Sequence, residues 1–555
     1  MKTTIYTAEL VTCARFPFRR TSASLLAILL LGLGPQSVRA NSATWKANPP
    51  TSDWHTTSNW SPQSVPDAAT DTATFGSSSK TAISINDAND TLTDLAGITF
   101  NPGASAYTFT LEQLNYLYFE GAGVTNNSGV TQTITIVPYT GFLSYLSFYN
   151  SATAGSSMTY NIGLDQYTYF YNSSTAGSAT FNLYGATSTY FYDTSSAGTA
   201  TFNLYGTDGF YDLVFFNAGT TAGNATFNVK GTGNGNQCQF TDGSSAGAAL
   251  FTLDGAVDNS HGPGAVLFFG GDAGSATFVA NAGLSGNTGS GIYFTNNSTG
   301  GTSRIEVFGN GIDGDVTNAV LDITQHLAPG VTIGSLEGSG AVRLANRLTV
   351  GGNNLTTAFS GIVSGTGSLA KTGKGKFTLS NANTYTDGTT VSKGTLLVTN
   401  RTGSATGTGA VAVNAGTLGG TGKISGAVTI GTATTAAILA PGNGARPGKM
   451  TLSSTLTFNA LGNFKADLSS TLVTADQVSA KGVTINSGAT ATITDLGTGT
   501  LTSGTIFTII NNSANTAING TFSNLADGST VVVGSNTYLV SYHGGTGNDL
   551  TLTVQ

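Results

Sequence analysis

The chain has 555 residues, of which only 9% are charged, 39% are apolar and 75 are glycine. Ordinary soluble domains carry about 25% charged residues, and a disordered polar chain lacks this apolar content, so the composition sets the chain apart from the first and excludes the second. Net charge is -7; residues 1–40 contribute +4 and the remainder -11, a sign that argues against nucleic-acid partners and against docking on anionic lipid.

Residues 1–40 read as a secretory signal peptide. Arg15, Arg19 and Arg20 precede an apolar run, Leu25 to Leu33, that Gly34-Pro35 breaks, and Val38-Arg39-Ala40 supplies the small residues a cleavage site needs. The run is too short to span a bilayer, and no later segment is apolar enough for a membrane helix. We read the Arg19-Arg20 pair as ordinary leader charge, with twin-arginine export as the alternative. Cys13 lies in the leader, which leaves Cys238 as the one cysteine of the exported part. An intramolecular disulfide is therefore excluded, and Cys238 is expected to pack as a small apolar strand residue.

Residues 41–140 hold all three tryptophans, Trp45, Trp54 and Trp60, before the first strand-like run, Asp71 to Phe75. The indoles suit either an aromatic platform for glycans or, the reading we prefer, a cap over the open end of a core, with their N–H groups satisfied by turns.

Residues 141–310 carry the strongest signal. A strand with aromatic residues, a polar turn ending in Ala-Gly and a second strand recur seven times, with spacings of 21 to 27 residues. The copies align on Gly155, Gly177, Gly198, Gly223, Gly247, Gly274 and Gly301. Four residues after the glycine stand Phe181, Phe202, Phe227, Phe251, Phe278 and Ile305, with Tyr160 in that role in the first copy. Seven before it stand Phe148, Phe170, Phe191, Phe216, Phe240 and Phe294, and Phe269 is assigned that place in the sixth copy. Two ladders at one period predict coils that bury no apolar face alone and form a continuous core by stacking Phe on Phe. In Tyr190-Phe191-Tyr192, Phe191 is expected to point in and the tyrosines out. The fold class is thus all-β, a β-solenoid with stacked Phe ladders. Its ends need atypical caps to block polymerisation through open edges. About 515 residues after the leader at ~22 per coil give roughly 23 coils and, at ~4.8 Å each, a rod of about 110 Å.

From residue 311 to 450 the aromatics thin out. The run Gly365 to Ser380, with Leu369-Ala370-Lys371-Thr372-Gly373-Lys374-Gly375-Lys376-Phe377 at its centre, continues through Asn383-Thr384-Tyr385 to Gly394-Thr395-Leu396-Leu397-Val398. It resembles the autotransporter-associated β-strand repeat of bacterial passenger domains. Gly416-Thr417-Leu418-Gly419-Gly420 and Leu439-Ala440-Pro441-Gly442 resemble the coil and the Pro-Gly turn that follow in that family. In residues 451–555, Gly544 to Leu552 resembles its final strand. The resemblance implies a right-handed parallel β-helix at the bacterial surface, associated with the outer membrane, or in the medium, and it implies no catalytic activity. The chain stops at Gln555 with no translocator barrel, so release or noncovalent attachment is expected.

Chemistry-bearing residues are sparse. His55, His261, His326 and His543 lack metal-ligand spacing, and no nucleophile elbow or phosphate loop occurs. Asp193, Asp212, Lys230, Asp242 and Asp254 are spread over several coils rather than paired as a polysaccharide-cleaving site requires. Asp313-Gly314-Asp315 reads as a turn. Gly544 to Asp549 fits one calcium nonapeptide, but such sites need tandem copies. No catalytic residue, metal ligand or cofactor is assigned. The sequence predicts a structural or adhesive surface rod, with extracellular polysaccharide or cell-surface glycans as partners; a secreted polysaccharide-active enzyme or carbohydrate-binding protein is the alternative.

Overall fold

The computed structural model describes residues 41–555 except 87–91, 113–114, 138–142 and 208, so the leader expectation lies outside the described residues. Strands such as Thr201–Leu204 and Thr226–Val229 alternate half-buried Thr or Asn with fully buried Phe, Leu or Val. That is the two-residue period of a strand with one face on the core. No α-helix occurs among the described residues; the helical turns are two short 3-10 segments, Thr57–Asn59 and Leu284–Gly286.

Coils from Ala68–Phe75 to Ile362–Gly365 contribute one strand to each of two long parallel sheets, the second of which continues through the later coils. The first runs from Ala43–Trp45 through Tyr145–Phe148, Tyr167–Phe170 and Ser188–Phe191 to Ile362–Gly365. The second runs from Ala82–Ile85 through Ser178–Leu183 and Thr201–Leu204 to Thr490–Asp495. The solenoid has about 17 turns, which at ~4.8 Å per turn makes a stack of roughly 80 Å. The sequence estimate of roughly 23 coils is too high because many coils exceed 22 residues: Arg304 pairs with Ser335, 31 residues on.

The third side changes along the rod. In the aromatic coils it is a ladder of single-residue bridges, Thr153 to Thr175, Ser196, Thr221, Ser245, Asp272 and Thr299, each followed by a small core residue such as the fully buried Ala176, Ala197 and Ala222. From Gly330–Ile333 to Val483–Ile485 it becomes a true eight-stranded parallel sheet of Val, Ile and Leu. Phe rings fill the cross-section in the first part, so alanine suffices opposite them; aliphatic side chains must fill it from three sides in the second.

The core of the aromatic coils is two ladders of rings. Phe148, Phe170, Phe191, Phe216 and Phe240 stack with centroids 4.6–4.8 Å apart and planes within 6°. Tyr160, Phe181, Phe202, Phe227 and Phe251 form the second at 4.7–5.1 Å. Between ladders, Phe191 meets Phe202 edge-on at 6.1 Å and 76°, the favoured complement to offset stacking. One assignment is corrected. The sixth ring is Phe268, fully buried and 5.0 Å from Phe240, not Phe269, which lies on the partly exposed face. A shortened turn there shifts the register by one residue, which exchanges the faces of two adjacent phenylalanines.

The turn glycines are stacked too. Gly223 has φ +60°, and a Cβ there would lie 2.6 Å from the carbonyl oxygen of Gly198, so the close approach of coils demands glycine. Thr221 Oγ1 accepts from the Gly223 N–H at 3.0 Å, as Ser196 does from Gly198.

Both ends depart from the coil pattern. At the start, Ala43–Trp45 pairs antiparallel with Trp60–Ser61. At the finish, Ile506–Asn512, Asp549–Val554, Asn536–Gly544 and Thr530–Val533 form an antiparallel run. Antiparallel closure turns the last parallel edge away from further stacking.

Candidate functional site

The outer face of the first sheet in the aromatic coils is paved with tyrosine. Alternation puts Phe or Leu inward and the intervening residues outward, and parallel in-register pairing then aligns them in columns. Tyr116, Tyr145 and Tyr167 form one column, with centroid separations of 5.1 and 5.8 Å. Tyr149, Tyr171 and Tyr192 form another, at 4.9 and 5.2 Å with planes within 9°. Between them run Tyr118, Ser147, Tyr169, Tyr190 and Phe215 in consecutive register, with Tyr169 and Tyr190 5.5 Å apart. All nine tyrosines are half-buried. Two were placed outward from sequence; the lateral joining of three columns into one aromatic surface follows only from the register.

Desolvation, and then neighbouring tyrosines, push the Tyr169 and Tyr171 hydroxyls above their ordinary pKa of 10.0. They are therefore neutral donors and acceptors at any physiological pH. The charge around them has one sign. Between Lys80 and Lys230 the sequence contains no Lys, Arg or His, whereas nine Asp and Glu fall in that interval. Three belong to this face: Asp94 pairs in register with Tyr118, Glu120 alternates outward with Tyr118, and Asp193 follows Tyr192 and accepts from the Asn172 N–H at 2.8 Å.

The second sheet presents a different surface. Asn161, Asn182, Asn203 and Asn228 form a ladder of amide hydrogen bonds of 2.8–2.9 Å. Those amides satisfy one another, coil to coil.

The three tryptophans are buried at the N-terminal end. Trp54 and Trp60 have 0% exposure and Trp45 2%. Trp60 packs edge-on against Trp45 at 5.1 Å and against Trp54 at 4.8 Å, and all three lie over Phe75. Their indole N–H groups donate to the carbonyls of Lys80, Pro66 and Trp54. With these exposures the indoles are buried, packed against Phe75 rather than open to solvent.

The titratable residues singled out from the sequence take part in local pairs and hydrogen bonds. His261 Nδ1 lies 2.6 Å from Asp258 and 3.3 Å from Ser260 Oγ in an exposed loop, so serine and carboxylate meet the same ring nitrogen and no relay forms. Ser260 and then His261 hold the Asp258 carboxyl down to about 2. His326 places its two nitrogens 2.6 and 2.7 Å from the carbonyls of Leu327 and Ser298. Asp212 is buried and accepts from the N–H groups of Gly185 and Gly206 at 2.7 and 2.6 Å, locking adjacent coils together. Lys230 pairs with Asp254 at 3.0 Å. Asp313 accepts from Thr384 and Asp315 from Asn310 and the Thr317 N–H. Asp549 accepts from the Asn512 N–H at 2.9 Å. Among the described residues, no group of three His, Cys, Asp or Glu is arranged to hold a metal ion.

Sequence reasoning missed one site in the C-terminal half. Lys371 has 1% exposure, and its Nζ donates to the carbonyls of Thr372, Gly373 (3.0 Å) and Lys393 (3.2 Å). All three ammonium protons are thus accepted by the backbone of two coils, the condition under which a buried cation is tolerated. Burial pushes its pKa down to about 8.

Residues 369–398, which contain Lys371, match the model of the Passenger-associated-transport-repeat family. Among solved structures, the chain is similar to the crystal structure of the Haemophilus influenzae Hap adhesin, at 11% identity and a TM-score of 0.30, over 88% of this chain and 64% of that one. The chain thus spans 64% of the length of that structure. No curated protein matches the sequence. The family match thus covers one repeat of the parallel β-solenoid.

Proposed function

We propose that this chain is an exported surface protein of passenger type, a non-enzymatic adhesive rod that holds extracellular or cell-surface glycans through its outer tyrosine face. The observation that carries this reading is the in-register array of nine tyrosines on one side of a stack about 17 turns long. Each contact is weak, but coils repeat it at a fixed spacing, so a polymer engaging several coils gains by effective concentration rather than by any single strong site. The matched repeat supports export to the cell surface or the medium. The poverty of converging carboxylates supports a binding role over a cleaving one.

The test is co-sedimentation of the purified protein with intact bacterial or host cells and with insoluble polysaccharides. Depletion from the supernatant that Tyr169→Leu with Tyr171→Leu abolishes, at unchanged circular dichroism, supports adhesion through this face. Depletion from neither cells nor polysaccharides overturns it. New reducing ends in the polysaccharide fractions replace adhesion by catalysis.

A further inference from the structure

Resting on that reading, we infer that the glycan held by the tyrosine face is an amine-bearing polysaccharide, a chain of cationic amino sugars, rather than an acidic or a neutral one. The argument is charge complementarity on an aromatic surface. The stacked rings turn their faces to one another, so the attraction for a cationic sugar comes from the carboxylates beside them, in a partly desolvated setting that strengthens it. Asp94, Glu120 and Asp193 lie along the same face, at both ends of the tyrosine columns. The Tyr118 and Tyr171 phenols sense Asp94 and Asp193 respectively. In the sequence, no Lys, Arg or His falls between Lys80 and Lys230. A polyanion, whether a uronate polymer or a sulfated glycan, would be repelled by carboxylates of its own sign. The tyrosine hydroxyls, held neutral, add donors and acceptors for sugar hydroxyls without adding charge.

Periodicity selects a polysaccharide over a basic peptide. Equivalent tyrosines recur at 4.9 and 5.2 Å along the Tyr149, Tyr171 and Tyr192 column. Same-face side chains of an extended peptide recur at about 6.8 Å and fall out of step within a few coils. A pyranose unit of an extended polysaccharide is close to one coil spacing, so successive sugars stay in step with successive tyrosines.

The experiment compares fluorescently labelled glucosamine oligomers, their fully N-acetylated counterparts and oligomeric uronates, each titrated with the purified protein. The free-amine oligomer is expected to bind at least about tenfold more tightly than the acetylated one at low salt. That preference should collapse near 0.5 M salt, where exposed charges are screened. Glu120→Gln with Asp193→Asn should remove the preference, and Tyr171→Leu should weaken the binding of both. Equal binding of amine and acetylated oligomers overturns the inference in favour of a neutral glycan, while adhesion through the face stands. Tighter binding of uronates overturns it as well. Binding of no oligomer by a protein that still depletes onto cells rejects a glycan ligand; failure on cells too rejects the adhesive function itself. An arginine-rich peptide that outcompetes the amine oligomer replaces it by a basic protein partner.

Discussion

At the residue scale, the fold depends on positions where one atom decides. Gly223 sits at φ +60° beneath the Gly198 carbonyl, so Gly223→Ala combines a left-handed backbone with a steric overlap. Its expected cost is about 1–3 kcal/mol, read as a lowered denaturant midpoint. Lys371 gives a pH dependence whose sign can be worked out. In an unfolded chain lysine titrates near ~10.4, whereas burial brings Lys371 to about 8 in the fold. Below pH 8 both states carry the charge, and the penalty for burying it is constant. As pH rises from about 8 toward 10.4 the unfolded state holds more protons, so this contribution to stability increases. Wild-type urea midpoints should therefore rise between pH 7.5 and about 9.5 relative to those of Lys371→Met. Above that range the tyrosines act in the opposite sense, since their folded-state values are raised from 10.0. Lys371 was not legible as buried in the sequence, because a lysine between Ala370 and Thr372 looks like a solvated strand residue until neighbouring coils supply the carbonyls.

At the scale of the strand, alternation assigns faces and stacking assigns energies. Phe215 and Phe216 are adjacent and chemically identical. Phe216 lies between Phe191 at 4.7 Å and Phe240 at 4.6 Å, while Phe215 tilts against Tyr190 at 5.9 Å on the outer face. Phe216→Ala is expected to cost about 3–5 kcal/mol through the cavity it leaves; Phe215→Ala should cost less than about 1 kcal/mol. Thermal unfolding of the two variants measures the contrast. The ladders were legible because Phe recurs at fixed offsets from the turn glycine. Phe269 was misassigned because that coil's turn is shorter, and an offset count cannot tell which of two adjacent phenylalanines faces inward. The burial of Asp212 was not legible for a related reason: its partners, the N–H groups of Gly185 and Gly206, lie 27 and 6 residues away in separate coils.

At the scale of the whole molecule, a parallel stack is stable only if its ends are closed. Removing residues 530–555 would strip the two outer strands and their partner from Ile506–Asn512 and expose a long unpaired edge. Such a truncation should self-associate, seen as a concentration-dependent rise in mass by light scattering, while the full chain keeps a constant mass. Length matters for function in the same way, because the tyrosine face draws its avidity from the number of coils a polymer can span.

The sequence by itself determined the class of fold, the two inward ladders and the glycines of the turns. Each of these repeats at one period along the chain, and stacked coils convert a period into a column. The tertiary structure alone decided which residues form surfaces and which are spent on the core. The tryptophans that suited a platform are closed over Phe75, and tyrosines from separate coils join into one face. Lateral adjacency depends on the register between strands roughly twenty to thirty residues apart, and only the completed stack, fixed by ring packing and ladder hydrogen bonds together, sets that register.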